Sequence, residues 1–366
     1  MRILFLCIII ASIFISSCDE QFNLNTKWTD ITVVYGILNS TDTAHYIKVN
    51  KAFLGDGSSY DMAKESDSIH YATELTVHLI EYELIEMNGE IPDPYYERNW
   101  ERTEREDIVL YRTDEINKDT IGIDGEEPIF GAQNNFLYKT TENISPLYKY
   151  ILEINVPGKS EIVTAETFQL GGMYVEYPRP NNQGTFNSPI HLELYTRPAA
   201  MEWRTAIYGK IYEPVVRFNY MEILGTDTTY EFIDLKFKTQ IAENTRLPSE
   251  FKGVDMKQQF GGEDFYIRIG ENIEEKTNIK RMALNLDFIF YIGGKDLNTY
   301  ISASNSVGIG QSQSEYSNVV NGQGIFASRY TYIVRDKEIF GEAIDSLAYG
   351  VHTSHLNFAN YFGQWR

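Results

Sequence analysis

Cysteine is nearly absent from this 366-residue chain. The sequence contains two cysteines, Cys7 and Cys18, and both lie in a short N-terminal stretch. No disulfide can therefore form in the body of the protein, and the folded state has to be stabilised by burial of apolar side chains. A chain of this length can bury enough surface to do so and normally divides into more than one core, so we expect two domains.

Positive charge is also scarce. The chain has 32 Lys and Arg against 52 Asp and Glu, which gives a formal net charge of -20. Nucleic-acid recognition depends on a basic surface, so this balance argues against a nucleic-acid partner. It also argues against electrostatic attachment to anionic lipid, so membrane attachment would require a covalent lipid. The acidity by itself is consistent with the solubility of an exposed protein.

The sequence lacks the common catalytic and cofactor-binding motifs. Residues 308–310 (GIG) are not followed by a third glycine at Gln313, and neither a nucleophile elbow nor a P-loop occurs. His352 and His355 form the closest histidine pair, but a pair without a Glu or Cys between them is more typical of a solvent-facing segment than of a metal site. We predict no catalytic residue, no metal and no cofactor. The many carboxylates nevertheless leave a surface hydrolase open.

The clearest long apolar run covers residues 3–15 and follows Arg2. It has the length of a signal-peptide core and is too short to span a bilayer. It ends in residues 14–21 (FISSCDEQ), in which the small residues before Cys18 resemble the lipobox of bacterial lipoproteins. We predict that residues 1–17 are a signal peptide and that residues 18–29 are a tether with Cys18 acylated, which would anchor the protein stably. The alternative is that Cys18 is buried in a core helix, but no helical pattern of apolar residues continues after residue 18.

Asp19 and Glu20 directly follow that cysteine. In envelopes of the Bacteroidetes type, acids at this place resemble an export signal for the outer face of the outer membrane. In other Gram-negative bacteria, an aspartate here resembles an inner-membrane retention signal. A solvated start to the tether is the third interpretation.

Beyond residue 30 the dominant pattern is the period-two alternation of half-buried strands. A stretch rich in Pro, Gly and Asn at residues 177–184 is the best candidate for a domain boundary, which gives β-rich domains at 30–176 and 177–366. The predicted fold is therefore mostly β with a few short helices. The predicted strands are 31–38, 46–50, 73–82, 108–112, 148–156, 161–168, 190–195, 203–208, 214–223, 229–239, 265–269, 285–291 and 330–334, and the predicted helices are 243–251 and 271–280.

An acidic segment at residues 83–107 interrupts this pattern. It reads as a long loop or an irregular hairpin, and segments of that length are commonly functional or mobile. Its aromatic residues Tyr95, Tyr96 and Trp100 are the candidates for exposed ligand or partner contacts. The alternative is that these rings pack the loop itself.

Three further segments carry a family resemblance. Residues 46–57 (YIKVNKAFLGDG), residues 216–222 (VRFNYME) and residues 316–329 (YSNVVNGQGIFASR) resemble a family of Bacteroidetes outer-membrane lipoproteins that is catalogued as a domain of unknown function. The last is similar to the family element YTNIxNGxGIFxSR, with Ser317 in place of the more usual threonine. Within it, residues 321–324 favour a tight turn that leads into a strand, and we expect Arg329 to pair with a carboxylate of the C-terminal domain.

The resemblance implies a fold, a location and a partner. It implies an N-terminal sandwich of the immunoglobulin or transthyretin type, an outer-membrane lipoprotein facing the extracellular side, and a TonB-dependent receptor as neighbour. It favours the export interpretation of Asp19 and Glu20 and implies no activity. With 26 tyrosines in the chain, a glycan or peptide ligand is plausible. The expected function is a non-enzymatic ligand-capturing or lid-like accessory subunit, and the alternatives are a free-standing adhesive protein and a surface hydrolase.

Overall fold

The computed structural model describes residues 31–52, 66–86, 89–117, 135–180, 189–192, 199–260, 262–305 and 316–365. The predicted leader, Cys18, Asp19 and Glu20 lie outside these ranges. The protein is mostly β, as the sequence predicted, with 48% strand and 14% helix. Among the described residues, no helix is both long enough and apolar enough to cross a membrane.

The N-terminal half is a sandwich-like arrangement of short strands. The predicted strands 31–38 and 46–50 form an antiparallel hairpin, and Gly158, with φ +87°, lies in the turn between the predicted strands 148–156 and 161–168. The elements are β1 (Ile31–Asn39), β2 (His45–Ala52), α1 (Ser66–Ile69), β3 (Thr76–Leu84), a 3-10 helix (Glu97–Asn99), β4 (Trp100–Arg102), β5 (Ile108–Thr113), β6 (Leu137–Thr140), β7 (Lys149–Asn155) and β8 (Val163–Phe168).

The C-terminal half combines long strands with helices. Residues 211–224 and 280–293 form long paired strands. The first buries nearly every second side chain, whereas the second buries residues 286–290 on both of its faces. The elements are β9 (Tyr174–Tyr177), β10 (Ala199–Arg204), β11 (Ile211–Leu224), β12 (Asp227–Lys236), β13 (Gln240–Ile241), β14 (Asp255–Phe260), α2 (Gly262–Asn272), β15 (Lys280–Gly293), α3 (Lys295–Asn305), β16 (Val319–Val320), β17 (Gly322–Lys337), α4 (Gly341–Tyr349) and a second 3-10 helix (Ser354–Leu356).

One continuous sheet joins the two halves. Its strand order is β12-β11-β15-β17-β1-β2-β6-β5-β3-β7-β8-β16, and a separate sheet has the order β14-β10-β9. β5 pairs with β3 through residues 108–110 and with β6 through residues 111–113, so it turns the sheet from one layer of the sandwich to the other. Two hydrophobic clusters result, one inside the sandwich and one around β11, β15 and the C-terminal helices.

β17 is the element that connects these two clusters. Its first half runs parallel to β1, from the pair Thr32–Gly322 to the pair Asn39–Arg329. Its second half runs antiparallel to β15, and β16 pairs with β8. Val319 therefore belongs to the sandwich core although it lies far along the chain. The sandwich is completed by residues that the proposed boundary at 177 assigns to the other domain.

The motif at residues 316–329 makes the predicted turn, at the corner between β16 and β17. Asn321 has φ 57° and Gly324 has φ +109°. A Cβ atom at Gly324 would lie 2.0 Å from the carbonyl oxygen of Val34. The expectation for Arg329 was wrong, because its guanidinium lies 3.1 Å from a carboxylate oxygen of Asp42 in the N-terminal half. The parallel pairing of β17 with β1 brings these two side chains together.

Three local predictions in the C-terminal half were also wrong. Residues 265–269 are helical, because Phe265, Tyr266 and Ile269 form one buried helical stripe of α2 where the sequence suggested alternation. α2 ends at Asn272, so most of the helix predicted at 271–280 is absent. Residues 243–251 form turns, since Pro248 cannot continue a helix and Arg246 donates to surrounding backbone carbonyls.

Replacement of Gly324 by alanine tests the pairing of β17 with β1. The added Cβ would meet the backbone of Val34 at a left-handed position, so we expect a loss of at least about 3 kcal/mol in the free energy of unfolding. Gly225→Ala is the matched control, because Gly225 has φ +65° and open space around it. That change should cost about 1 kcal/mol. Equal losses in urea denaturation of the two variants would contradict the close approach.

Candidate functional site

A pocket of about 590 Å³ lies where the sandwich meets the C-terminal half. One side of the pocket is strand β8, and the others come from the acidic segment, the β10–β11 connection, the start of α3 and the strands β16 and β17. We call it the junction pocket. Its lining residues are Tyr95, Glu97, Ile151, Thr164, Ala165, Glu166, Thr167, Phe168, Tyr208, Thr245, Gly294, Lys295, Asp296, Asn318, Val320 and Ser328.

Aromatic rings form the apolar part of this pocket. The ring of Phe168 stacks on Tyr208 with centroids 5.1 Å apart and an interplanar angle of 24°. The ring of Phe168 also contacts two further rings. Its centroid lies 5.4 Å from that of Trp100 and 6.0 Å from that of Tyr95, which it meets edge to face. Contacts of this kind stabilise aromatic clusters beyond the area they bury. The cluster joins residues of both halves of the protein.

The three predicted contact residues differ in their exposure and in their position relative to the pocket. Tyr95 lines the pocket and is 49% exposed, whereas Tyr96 is exposed but does not line it. Trp100 is 7% exposed, so the expectation of an exposed ring was wrong. Its indole Nε1 donates to the carbonyl of Pro94 at 2.7 Å, and its ring packs under Phe168. Trp100 therefore packs the loop itself, as the alternative interpretation predicted.

Charged groups lie at the start of α3. The Lys295 ammonium is 5.6 Å from the centroid of the Tyr95 ring. The next carboxylate, Asp296, accepts a hydrogen bond from the Tyr316 hydroxyl at 2.6 Å, and burial together with this bond raises the pKa of Tyr316. The pKa of Tyr95 is also raised above its ordinary value, by burial first and then by the nearby Asp296 and Asp93.

The motif at residues 316–329 closes one side of the pocket. The Asn318 side chain donates to the carbonyl of Phe326 at 2.7 Å and to that of Glu166 at 3.3 Å, and it accepts from the Phe326 amide at 3.0 Å. The Ser328 hydroxyl donates to the carbonyl of Phe168. These contacts link β17 to β8, which is a structural role.

Tyr208 is the unusual residue of the site. Its backbone is left-handed, with φ 62°, although it is a bulky residue, and it is 3% exposed. Its hydroxyl has no hydrogen-bond partner among the described residues. Burial, and then the neighbouring Tyr95, raises its pKa, so the hydroxyl keeps its proton. A left-handed bulky residue and an unpaired buried hydroxyl both cost stability.

Sequence reasoning missed Tyr208, Lys295 and Asp296. A local signal existed for the last two, since they follow two glycines between a strand and a helix. The signal for Tyr208 does not exist in the sequence, because tertiary contacts set both its backbone angle and the environment of its hydroxyl.

The histidine pair does not form a site. His352 contacts a carboxylate oxygen of Glu263 at 3.2 Å, and His355 is exposed on the following 3-10 helix. Within the ranges that the structure covers, no group of three or more His, Cys, Asp or Glu side chains is placed to hold a metal ion.

Comparison with protein-family models gives no match, and comparison with curated proteins gives no significant match. The resemblance to the lipoprotein family therefore stays a prediction, and the site has to be interpreted from its own geometry.

Alanine substitutions separate the packing residue from the exposed one. Trp100→Ala removes a buried ring from the aromatic cluster and should lower the free energy of unfolding by about 3–5 kcal/mol. Tyr96→Ala, four residues earlier in the chain and at a side chain that is 56% exposed, should change it by less than about 0.5 kcal/mol. Urea denaturation followed by far-ultraviolet circular dichroism measures the free energy of unfolding of both variants. A neutral Trp100→Ala would contradict the buried position of this ring.

Proposed function

We propose that this protein is a lipid-anchored, non-enzymatic surface protein that captures a polar ligand in the junction pocket and passes it to a TonB-dependent outer-membrane receptor. The observation that carries this proposal is the pocket itself, which combines exposed aromatic surface with a few polar groups. Pockets that are concave, partly apolar and furnished with a few directed polar groups are typical ligand sites.

The pocket walls support a preformed site. β17 hydrogen-bonds β1 and β15, and the side chains of Asn318, just before β17, and Ser328, within it, donate to backbone carbonyls of β8. The walls that come from distant parts of the chain are thereby fixed relative to one another. A site that does not have to be assembled on binding loses less entropy when the ligand enters.

The carboxylates of the pocket favour binding over catalysis. Asp296 accepts a hydrogen bond from the Tyr316 hydroxyl, and a carboxylate oxygen of Glu166 lies 3.5 Å from the ammonium of Lys149. In these contacts the two carboxylates connect neighbouring segments of the pocket wall, which is a structural role. This arrangement supports a capture protein rather than a hydrolase.

The position of the chain start supports a membrane-proximal sandwich. β1 begins at Ile31, at the end of the sheet where Gly322 lies, whereas the C-terminal core is built on the other half of β17. An extended tether from Cys18 to Ile31 would reach at most about 45 Å. The sandwich, which the chain enters directly from the tether, would then lie within that distance of the membrane.

Purification of the native protein from outer membranes in mild detergent tests this function. We expect a TonB-dependent barrel to co-purify in stoichiometric amount, identified by mass spectrometry. The control is Cys18→Ser, which cannot be acylated and should lose both the membrane fraction and the barrel. A wild-type protein that emerges alone would contradict the transport role and favour a free-standing adhesive protein.

A further inference from the structure

We propose that the free edge of β12 is a docking site for an extended, basic segment of a partner protein, which adds to the large sheet as a further strand. None of the residues that line the junction pocket belongs to β12. The inference is therefore independent of the proposed capture function and concerns a second surface of the protein.

β12 is the last strand at one end of the large sheet. Within the residues that the structure describes, it pairs with β11 over its whole length and with no other strand. The strand at the opposite end of the sheet, β16, has only two residues, whereas β12 has ten. A long edge strand presents a row of backbone hydrogen-bonding groups with which another strand can pair.

Alternate residues of β12 direct their backbone groups away from β11. In an antiparallel pair, the amide and carbonyl of one residue point to the same side, and those of the next residue point to the other. Just after β12, the Phe237 amide donates to the carbonyl of Pro214 on β11 at 3.1 Å. The carbonyl of Lys236 instead accepts from Arg268 of α2 at 2.7 Å. The even-numbered residues 228–234 therefore point outward, where the described part of the chain offers their backbone no partner.

This edge lacks most of the features that protect exposed strands from pairing. β12 contains no proline, and its register with β11 has no bulge. Its one lysine, Lys236, lies at the end of the strand that α2 already covers. Tyr230 and Phe232 are 76% and 56% exposed on the uncovered part. Since natural edges are usually short, bulged, or guarded by proline and lysine, this edge is open to a further strand.

The exposed rings supply side-chain contacts for such a strand. The guanidinium carbon of Arg217 lies 4.0 Å from the centroid of the Phe232 ring. The same guanidinium donates two hydrogen bonds to Asp234, at 2.7 and 2.9 Å, which fix its position. The Phe232 ring is thereby held in place before a partner arrives. Aromatic and β-branched residues that face each other on neighbouring strands stabilise a sheet, so β-branched side chains suit the added strand.

Charge determines which partner strand fits this edge. Asp227 and Glu231 are exposed on β12, and neither forms a salt bridge with another described residue. Like charges on neighbouring strands repel, and each copy of this chain carries a net charge of -20. This repulsion opposes the addition of a second copy or of any acidic segment. Lys or Arg side chains of a partner strand would complement the two carboxylates.

Binding of a designed strand tests the proposal. The probe is a fluorescein-labelled nine-residue peptide in which valine alternates with lysine and threonine, and fluorescence anisotropy measures its affinity for the full chain. We expect saturable binding. The same peptide N-methylated at two adjacent central residues should bind at least tenfold more weakly, because each of its edges then lacks one donor. A peptide with glutamate in place of lysine should also bind at least tenfold more weakly.

Tyr230→Pro is the decisive variant, because proline at this position removes an outward amide and leaves the hydrogen bonds to β11 intact. It should retain the far-ultraviolet circular dichroism of wild type and weaken binding of the basic peptide at least tenfold. Tyr230→Ala keeps the amide and loses only the ring, so it should weaken binding by a smaller factor. Glu231→Lys should remove the preference for the basic over the acidic peptide.

Thr229→Pro is the matched control for the backbone assignment. The amide of Thr229 points toward β11, so proline there removes a hydrogen bond of the sheet and should lower the melting temperature more than Tyr230→Pro does. Residue-resolved hydrogen exchange of the wild-type protein needs no variant. The amides of Thr228, Tyr230 and Phe232 should exchange rapidly in the free protein and slowly in the presence of the basic peptide.

Several results would overturn the inference. Wild-type protein that does not bind the basic peptide would refute the docking site, and outward amides that are already protected in the free protein would show that another part of the chain covers the edge. Equal losses for Tyr230→Pro and Tyr230→Ala would refute pairing through the backbone. A dimer in analytical ultracentrifugation that Tyr230→Pro abolishes would assign the edge to a second copy. A barrel that co-purifies in any of these cases would leave the proposed transport function standing.

Discussion

The pairing of β17 with two different partners is the constraint on which the rest of the structure depends. Its first half completes the sandwich next to β1, and its second half forms part of the C-terminal sheet next to β15. Neither hydrophobic cluster is complete without this strand, because Phe326 lies in one and Val334 in the other. The requirement for glycine at position 324 follows directly, since the backbone of Val34 occupies the space where a side chain would be.

The junction pocket is a consequence of this arrangement. A strand shared by two cores holds their surfaces at a fixed distance, and the space between them is lined by residues from both. Asn318, just before β17, and Ser328, within it, donate hydrogen bonds to backbone carbonyls of β8. The site can then maintain Tyr208 in a costly state, because the surrounding structure supplies the stability that this residue gives up.

Local patterns in the sequence predicted local structure. The strands on either side of the β1–β2 connection, the strands on either side of Gly158 and the turn at Asn321 each depend on neighbours in the chain, and the structure has all of them. The order of the sheet could not be predicted, since the contact of Arg329 with Asp42 joins residues 287 positions apart. Trp100 was misjudged for the same reason, because the ring of Phe168 that covers it belongs to a distant strand. Of the pocket, only Tyr95 was predicted.

Native-state hydrogen exchange along β17 tests the central claim most directly. If this strand makes one unit of the two cores, its hydrogen-bonded amides from Gly322 to Lys337 should exchange slowly and through one common opening with the global free energy of unfolding. Separate openings, with the half next to β1 and the half next to β15 exchanging at different free energies, would show two independent cores. The junction pocket would then not be a fixed site, and the account would be wrong.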